Sequence, residues 1–221
     1  MPILRRLLPI FMMFALSTSC DFLRTPSKPS YLLIAVESLS FELVSCGSRA
    51  FLAKELNGFD IFCDQSIRFT HAFTPTVFSQ AALASLFSAR YPFQTGVRHN
   101  GSQSLSASHE TLAEVAVRRG YRSAFYSGGP PIFRGSGLNQ GFEVFQDNFL
   151  VRPGHYYRPA QESFSGFLRW LDQISSDSPF FATVFLSDLQ FPGVETKDDQ
   201  GNIRDRSFDG QLREVDESLQ Y

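Results

Sequence analysis

Cysteine is scarce in this chain: 221 residues carry three, at Cys20, Cys46 and Cys63. Their spacing does not resemble a zinc ligand set, so a cysteine zinc site is excluded. Charge of one sign is lacking too. Twenty Lys and Arg against 22 Asp and Glu leave a formal net charge of −2. No long basic stretch with interleaved aromatics occurs, which excludes nucleic acid as the expected partner. The apolar run Leu7 to Leu16 is too short to cross a bilayer. Histidine is limited to four residues, His71, His99, His109 and His155.

What the chain does have is apolar bulk. At 43% hydrophobic, a chain of this length can bury one sizeable core without disulfides or metals. Its 24 phenylalanines sit mostly in apolar runs such as Phe180 to Leu186, and their expected role is core packing.

The N-terminus reads separately. Arg5-Arg6 precede Leu7 to Leu16, which has the length of a signal-peptide core, roughly 7–15 residues. Residues 1–20 are therefore read as a signal peptide. The stretch Leu16-Ser17-Thr18-Ser19-Cys20-Asp21 resembles a bacterial lipobox, with its leucine one place further from the cysteine than usual. Lipidation of Cys20 would make the chain an exported lipoprotein on the periplasmic side of a bacterial membrane; an ordinary cleavable signal is the alternative. Residues 21–30, with Pro26 and Pro29, read as a tether, and 31–221 as the folded domain. For Cys46 and Cys63, a disulfide and two buried thiols both stay open.

Past residue 30, strands and helices alternate. Tyr31 to Val36 (YLLIAV) is a continuous apolar run suited to a strand buried on both faces, and it ends on Glu37-Ser38. A carboxylate there stands at the carboxyl end of a strand, where open α/β sheets bind ligands. Ser79 opens a helical stretch running into Arg90-Tyr91-Pro92. It is either an N-cap or a nucleophile, placed where the positive end of the macrodipole favours an anionic ester. Thr111 to Arg119, Gly120 and the residues after Tyr121 read as helix, stop and strand.

In this order these pieces resemble the N-terminal half of the sulfatase family in the alkaline-phosphatase superfamily. The matching segments are LLIAVESL at 32–39, IRFTHAFTPT at 67–76, ASLFSARYPFQTGVRHNG at 84–101, TLAEVAVRRGYRSAFYSGG at 111–129, GLNQGFEVF at 137–145, SPFFATVFLSDLQFP at 178–192 and LREVDESL at 212–219. The resemblance implies an α/β three-layer sandwich with a mostly parallel central sheet, incomplete at the C-terminus. It also implies a metal-dependent hydrolase of sulfate or phosphate esters, or a phosphoryl transferase. Such chemistry needs hard oxygen ligands for a divalent cation (Ca, Mg, Mn or Zn) and an oxygen nucleophile beside it.

By that resemblance Glu37 takes the place of a metal-binding aspartate; Glu-Ser is closer to the phosphoglycerol-transferase branch. Ser38 stands where a second aspartate is usual. Ser79 falls at the nucleophile position and is the other metal ligand. Sulfatases that carry formylglycine read Cys-x-Pro-Ser-Arg there, whereas this chain reads Ser79-Gln80-Ala81-Ala82-Leu83. Formylglycine is therefore not expected, and Ser79 would act as a plain alkoxide, which favours phosphate-ester or phosphoryl-transfer chemistry. Leu83 removes a cationic residue from beside the nucleophile.

At Asp188-Leu189-Gln190-Phe191-Pro192 the family commonly reads Asp-x-His-x-Pro. Gln190 can donate a hydrogen bond but cannot carry charge. Asp188 is either a site residue or an aspartate closing a strand. With His99, these two are the substrate-binding candidates, and the expected partner is a small anionic ester. Arg213 to Leu219 resembles the helix that precedes an Asp-His strand completing the metal site. The chain stops at Tyr221, in what reads as the middle of that helix, so a further segment or a second chain is expected to complete the site. The alternative, favoured by Leu83, Gln190 and the missing Asp-His, is an inactive truncated lipoprotein that keeps the fold for binding or structure.

Overall fold

The structure is a computed structural model that describes residues 28–44, 57–101, 103–149, 156–190 and 207–220. The expected signal peptide, Cys20 and most of the expected tether lie outside the described residues, as does Cys46. Cys63 is disulfide-bonded, which removes the free-thiol reading for that residue; its partner lies outside the described residues.

A four-stranded sheet organises the chain. Its strands are β1 (Tyr31–Val36), β2 (Arg122–Ser127), β3 (Val144–Gln146) and β4 (Phe180–Leu186). The order is β1-β4-β2-β3, and every pairing is parallel. Helices cover both faces, as a parallel sheet requires. On one face lie α1 (Asn57–Gln65), α5 (Ala160–Leu171) and α6 (Phe208–Ser218). On the other lie α2 (Ser79–Ser88) and α4 (Leu112–Arg118), with the short α3 (Pro92–Thr95) following α2.

The two-residue period of the strands divides the core. Ala182, Val184 and Leu186 of β4 join Ala124 and Tyr126 of β2 and meet Phe164, Phe167 and Trp170 of α5. The alternate residues Phe125, Phe181 and Phe185 pack on Ala84 and Phe87 of α2 and Ala113 of α4. The phenylalanines of Phe180–Leu186 are thus core, as expected. Others are not: Phe69 and Phe73 are 76% and 89% exposed.

β1 departs from its expected burial. Tyr31 and Leu32 are 53% and 41% exposed and the rest of the strand is half-buried. It pairs with β4 on one side, and no described strand pairs with its other edge. The strand buried on both faces is β4, which lies between β1 and β2.

α4 begins with a capping box: the Thr111 hydroxyl accepts from Glu114 N and the Glu114 carboxylate accepts from Thr111 N. It ends before Gly120, which adopts φ +84°. α2 stops at Ser88, with Ala89 in the left-handed region and its N–H on Ser85 O. α6 ends at Ser218. Leu219 N and Gln220 N turn back onto Asp216 O and Glu217 O, and the Ser218 hydroxyl bonds Glu214 O. Such i→i−3 bonds tighten a final turn.

The ends of β2 and β4 approach closely at Gly128. A Cβ there would lie 2.5 Å from Phe185 O and 2.7 Å from Ser187 N, a spacing that only displacement relieves. Gly128→Ala is expected to lower stability by about 1–3 kcal/mol and to disturb the segment after β4, measured by urea denaturation.

Candidate active site

The register of β1 on β4 builds the site. Val36 pairs with Leu186, and Glu37 N extends the ladder by donating to Leu186 O at 2.9 Å. Glu37 and Ser187 therefore emerge side by side at the carboxyl edge of the sheet, where parallel sheets present ligands. Ser38 follows with φ 61° and is exposed.

α2 aims its N-terminus at the same edge. Its N-cap is Phe78, which makes no side-chain cap bond, and Ser79 is the first helical residue. Ser79 is therefore not a cap. Its hydroxyl donates across the site to Glu37 Oε1. The loop after α3 holds this helix end in place: Gln80 N donates to Asn100 Oδ1 at 3.1 Å, while the buried Gln80 amide accepts from Gly101 N at 2.7 Å and donates to Gln103 O at 2.6 Å. One of the unpaired N–H groups expected to favour an anion is thus already occupied by Asn100. His99, on the same loop, is exposed and meets the Phe78 ring edge-on at 4.8 Å between centroids.

From β4, the turn Asp188–Gln190 completes the arrangement. Gln190, with its amide nitrogen donating, lies 3.0 Å from Glu37 Oε2 and 2.9 Å from Pro130 O. Glu37 is thus approached by Ser79 at one oxygen and Gln190 at the other. Asp188 is directed elsewhere: fully buried, it accepts from Ala160 N at 2.9 Å, the first residue of α5, whose N-cap Pro159 makes no side-chain cap bond. Leu83 is 5% exposed and belongs to the core against α2.

Burial pushes the Glu37 carboxyl above the ordinary carboxylate range, with the Ser79 and Ser187 hydroxyls beside it offsetting part of that rise. Further along α2, Leu83 and Leu86 with the segment Phe73–Pro75 and Tyr91 border a largely apolar groove of about 790 Å³, which neither Ser79 nor Glu37 lines.

A sulfatase family model matches residues 29–219. The chain belongs to the sulfatase family. The fold is shared with an alkaline-phosphatase-superfamily protein from Vibrio parahaemolyticus (TM-score 0.63, 17% identity, covering 88% of this chain and 49% of that one). It is also shared with the phosphonate monoester hydrolase of Agrobacterium radiobacter (TM-score 0.59, 16% identity, 87% and 58%). A third likeness is the lipoteichoic acid synthase LtaP from Listeria monocytogenes (TM-score 0.58, 12% identity, 86% and 50%). The chain therefore spans about half the length of these proteins. No curated protein matches it.

Among the described residues, no group of three or more His, Cys, Asp or Glu side chains is placed to hold a metal ion. Glu37 and Ser79 fit part of a hard-cation site: both are oxygen donors, they meet each other, and the carboxylate is desolvated without an ion-pair partner among the described salt bridges. Two protein oxygens fall short of the six to eight, roughly, that calcium takes.

Two outcomes are expected. The Glu37 carboxyl titrates above its unfolded value near 4.5 when folded, so its contribution to stability is fully present below that pH and is lost as pH rises through the folded value. Glu37→Gln should therefore melt higher than the wild type at pH 7, with the gap closing toward pH 4; thermal melts at both pH values check this. Asp188→Ala should lower stability by about 1–3 kcal/mol through loss of the α5 cap, and Asp188→Asn, which keeps an acceptor, by less. Denaturant midpoints of the two variants measure the difference.

Proposed function

We propose that this sulfatase-family chain is the nucleophile-bearing half of a divalent-metal-dependent enzyme that hydrolyses or transfers sulfate or phosphate esters, with Ser79 as nucleophile. The observation that carries this is the contact between Ser79 and Glu37, made by residues from separate elements, 42 positions apart. Glu37 Oε1 accepts a hydrogen bond from the Ser79 hydroxyl, which leaves the lone pairs of Oγ free to meet an incoming ester. Gln190 fixes the other carboxylate oxygen, so the dyad has one orientation. His99, exposed on the loop whose Asn100 and Gly101 bond Gln80, is the proposed contact for the anionic substrate, with Gln190.

Glu37 and Ser79 would hold the cation, which when bound neutralises charge on the ester and lowers the pKa of the serine hydroxyl. The remaining ligands would come from water and from residues beyond those described, in a further segment or a second chain. A plain serine is suited to phosphate or phosphonate esters, in keeping with the phosphonate monoester hydrolase among the structural neighbours. Export and anchoring through a lipidated Cys20 belong to the same proposal.

Full-length protein assayed with nitrophenyl phosphate, phosphonate and sulfate esters in the presence of Mg²⁺, Mn²⁺, Ca²⁺ or Zn²⁺ should turn over at least one of them. Ser79→Ala should reduce that rate by about a thousandfold or more. Unchanged turnover in the variant removes Ser79 from the mechanism.

The second reading, a binding or structural protein that has lost the chemistry, is favoured by one observation: Leu83 is packed into the core and brings no charge to the nucleophile. An intact fold with no turnover under any cation would establish it.

A further inference from the structure

A second concavity lies where α5 crosses β2 and β3. It holds about 620 Å³. None of Glu37, Ser79, Ser187 and Gln190 lines it, so a ligand bound there would be independent of the proposed function. Its floor is made by Tyr126 of β2 and Trp170 of α5, each only 5% exposed. α5 comes this close because of Gly166: a Cβ there would lie 2.9 Å from Tyr126 Cε1.

Two guanidinium groups line the cleft, Arg169 from α5 and Arg158 from the segment that leads into it. Arg158 is held in place before any ligand arrives. It donates to Gln146 O at 3.3 Å and Asn148 O at 3.0 Å, and its guanidinium lies 5.7 Å from the centre of the Phe149 ring. Neither arginine forms an ion pair among the described salt bridges. Glu162, which also lines the cleft, and Asp147 act on Arg158 at longer range. The two arginines and Glu162 thus leave the lining with one net positive charge.

Burial depresses the Arg158 pKa, the mark of a cation partly stripped of water. Burial raises the Tyr126 pKa, and Arg169 and Arg158, which line the same cleft, offset part of that rise. A partly desolvated guanidinium is costly unless an anion joins it. The planar fork of arginine matches the oxygens of carboxylate, sulfate and phosphate.

We propose that this cleft is a second ligand site, which binds a small oxyanion-bearing molecule between Arg158 and Arg169 above Tyr126. The group bound is a sulfate, phosphate or carboxylate.

Trp170 is the only tryptophan in the chain, so its fluorescence reports on this cleft and on no other tryptophan. Full-length protein is titrated with sodium sulfate, phosphate or acetate, with ionic strength held constant by sodium chloride. Retention of labelled sulfate, phosphate and acetate is measured in parallel by equilibrium dialysis.

A saturable Trp170 response with any of the three, matched by saturable retention of the same anion, supports the site. Saturation by sulfate or phosphate assigns it to ester-type anions, and by acetate alone to carboxylates. Arg169→Gln, a change at an exposed position, should weaken binding by about tenfold or more, and Arg158→Gln likewise, whereas Ser79→Ala should leave the half-saturation point unchanged. A response no different from chloride together with no retained anion overturns the proposal. Binding that survives both arginine substitutions, or that Ser79→Ala abolishes, overturns it equally.

Discussion

Strand β4 is the constraint on which the rest of the molecule depends. Flanked by β1 and β2 in parallel register, it satisfies its backbone polar groups from both sides. It divides its side chains between two cores: Phe181 and Phe185 on the α2 face, Ala182, Val184 and Leu186 on the α5 face. Its continuation then serves two sites. Ser187 and Gln190 face Glu37, while Asp188 turns away to accept from the first N–H of α5. A helix whose preceding residue is proline has no local side chain to supply that bond, so one strand end both borders the candidate site and anchors the helix that shapes the second cleft.

At Glu37 the structure sets stability against function. A half-buried carboxyl with hydroxyl and amide partners and no ion pair costs free energy that an apolar residue would not. Such a group is characteristic of sites where charge arrives with a ligand. The serine facing it is placed by the fold twice over, once by the α2 axis and once by the buried Gln80 amide, which ties Gly101 and Gln103 to the same turn of helix. The same balance recurs at Arg158, whose partial burial is likewise unfavourable to its charge. Both charged groups lie close to strand ends, where irregular backbone supplies hydrogen bonds that strand interiors spend on their neighbours.

Much of the fold was legible because its signals are local. Apolar runs bounded by polar residues marked β1 and β4, and a helical stretch from Thr111 with a glycine stop marked α4. The fold class and the family followed from their order. α1 and α5 were not read. α5 begins after Pro159 without a local cap, since its capping oxygen comes from Asp188, 28 residues later in the chain. The exposure of β1 was also missed, because a continuous apolar run does not say whether a strand has one neighbour or two.

For the site, the sequence by itself determined the candidate pair, Glu37 at a strand end and Ser79 at a helix start, and the absence of a formylglycine motif. It left Ser79 open between cap and nucleophile, and Asp188 open between site and scaffold. Only the tertiary structure decided that the serine bonds to Glu37 and that Asp188 accepts from α5. Only tertiary structure also brought Gln80 and Asn100 together, and two arginines into one cleft. The physical reason is the range of the interactions. Capping signals and hydrophobic periodicity act within a few residues and are written along the chain. Which distant oxygen faces a hydroxyl depends on strand register and helix axis, and those exist only once the sheet has assembled.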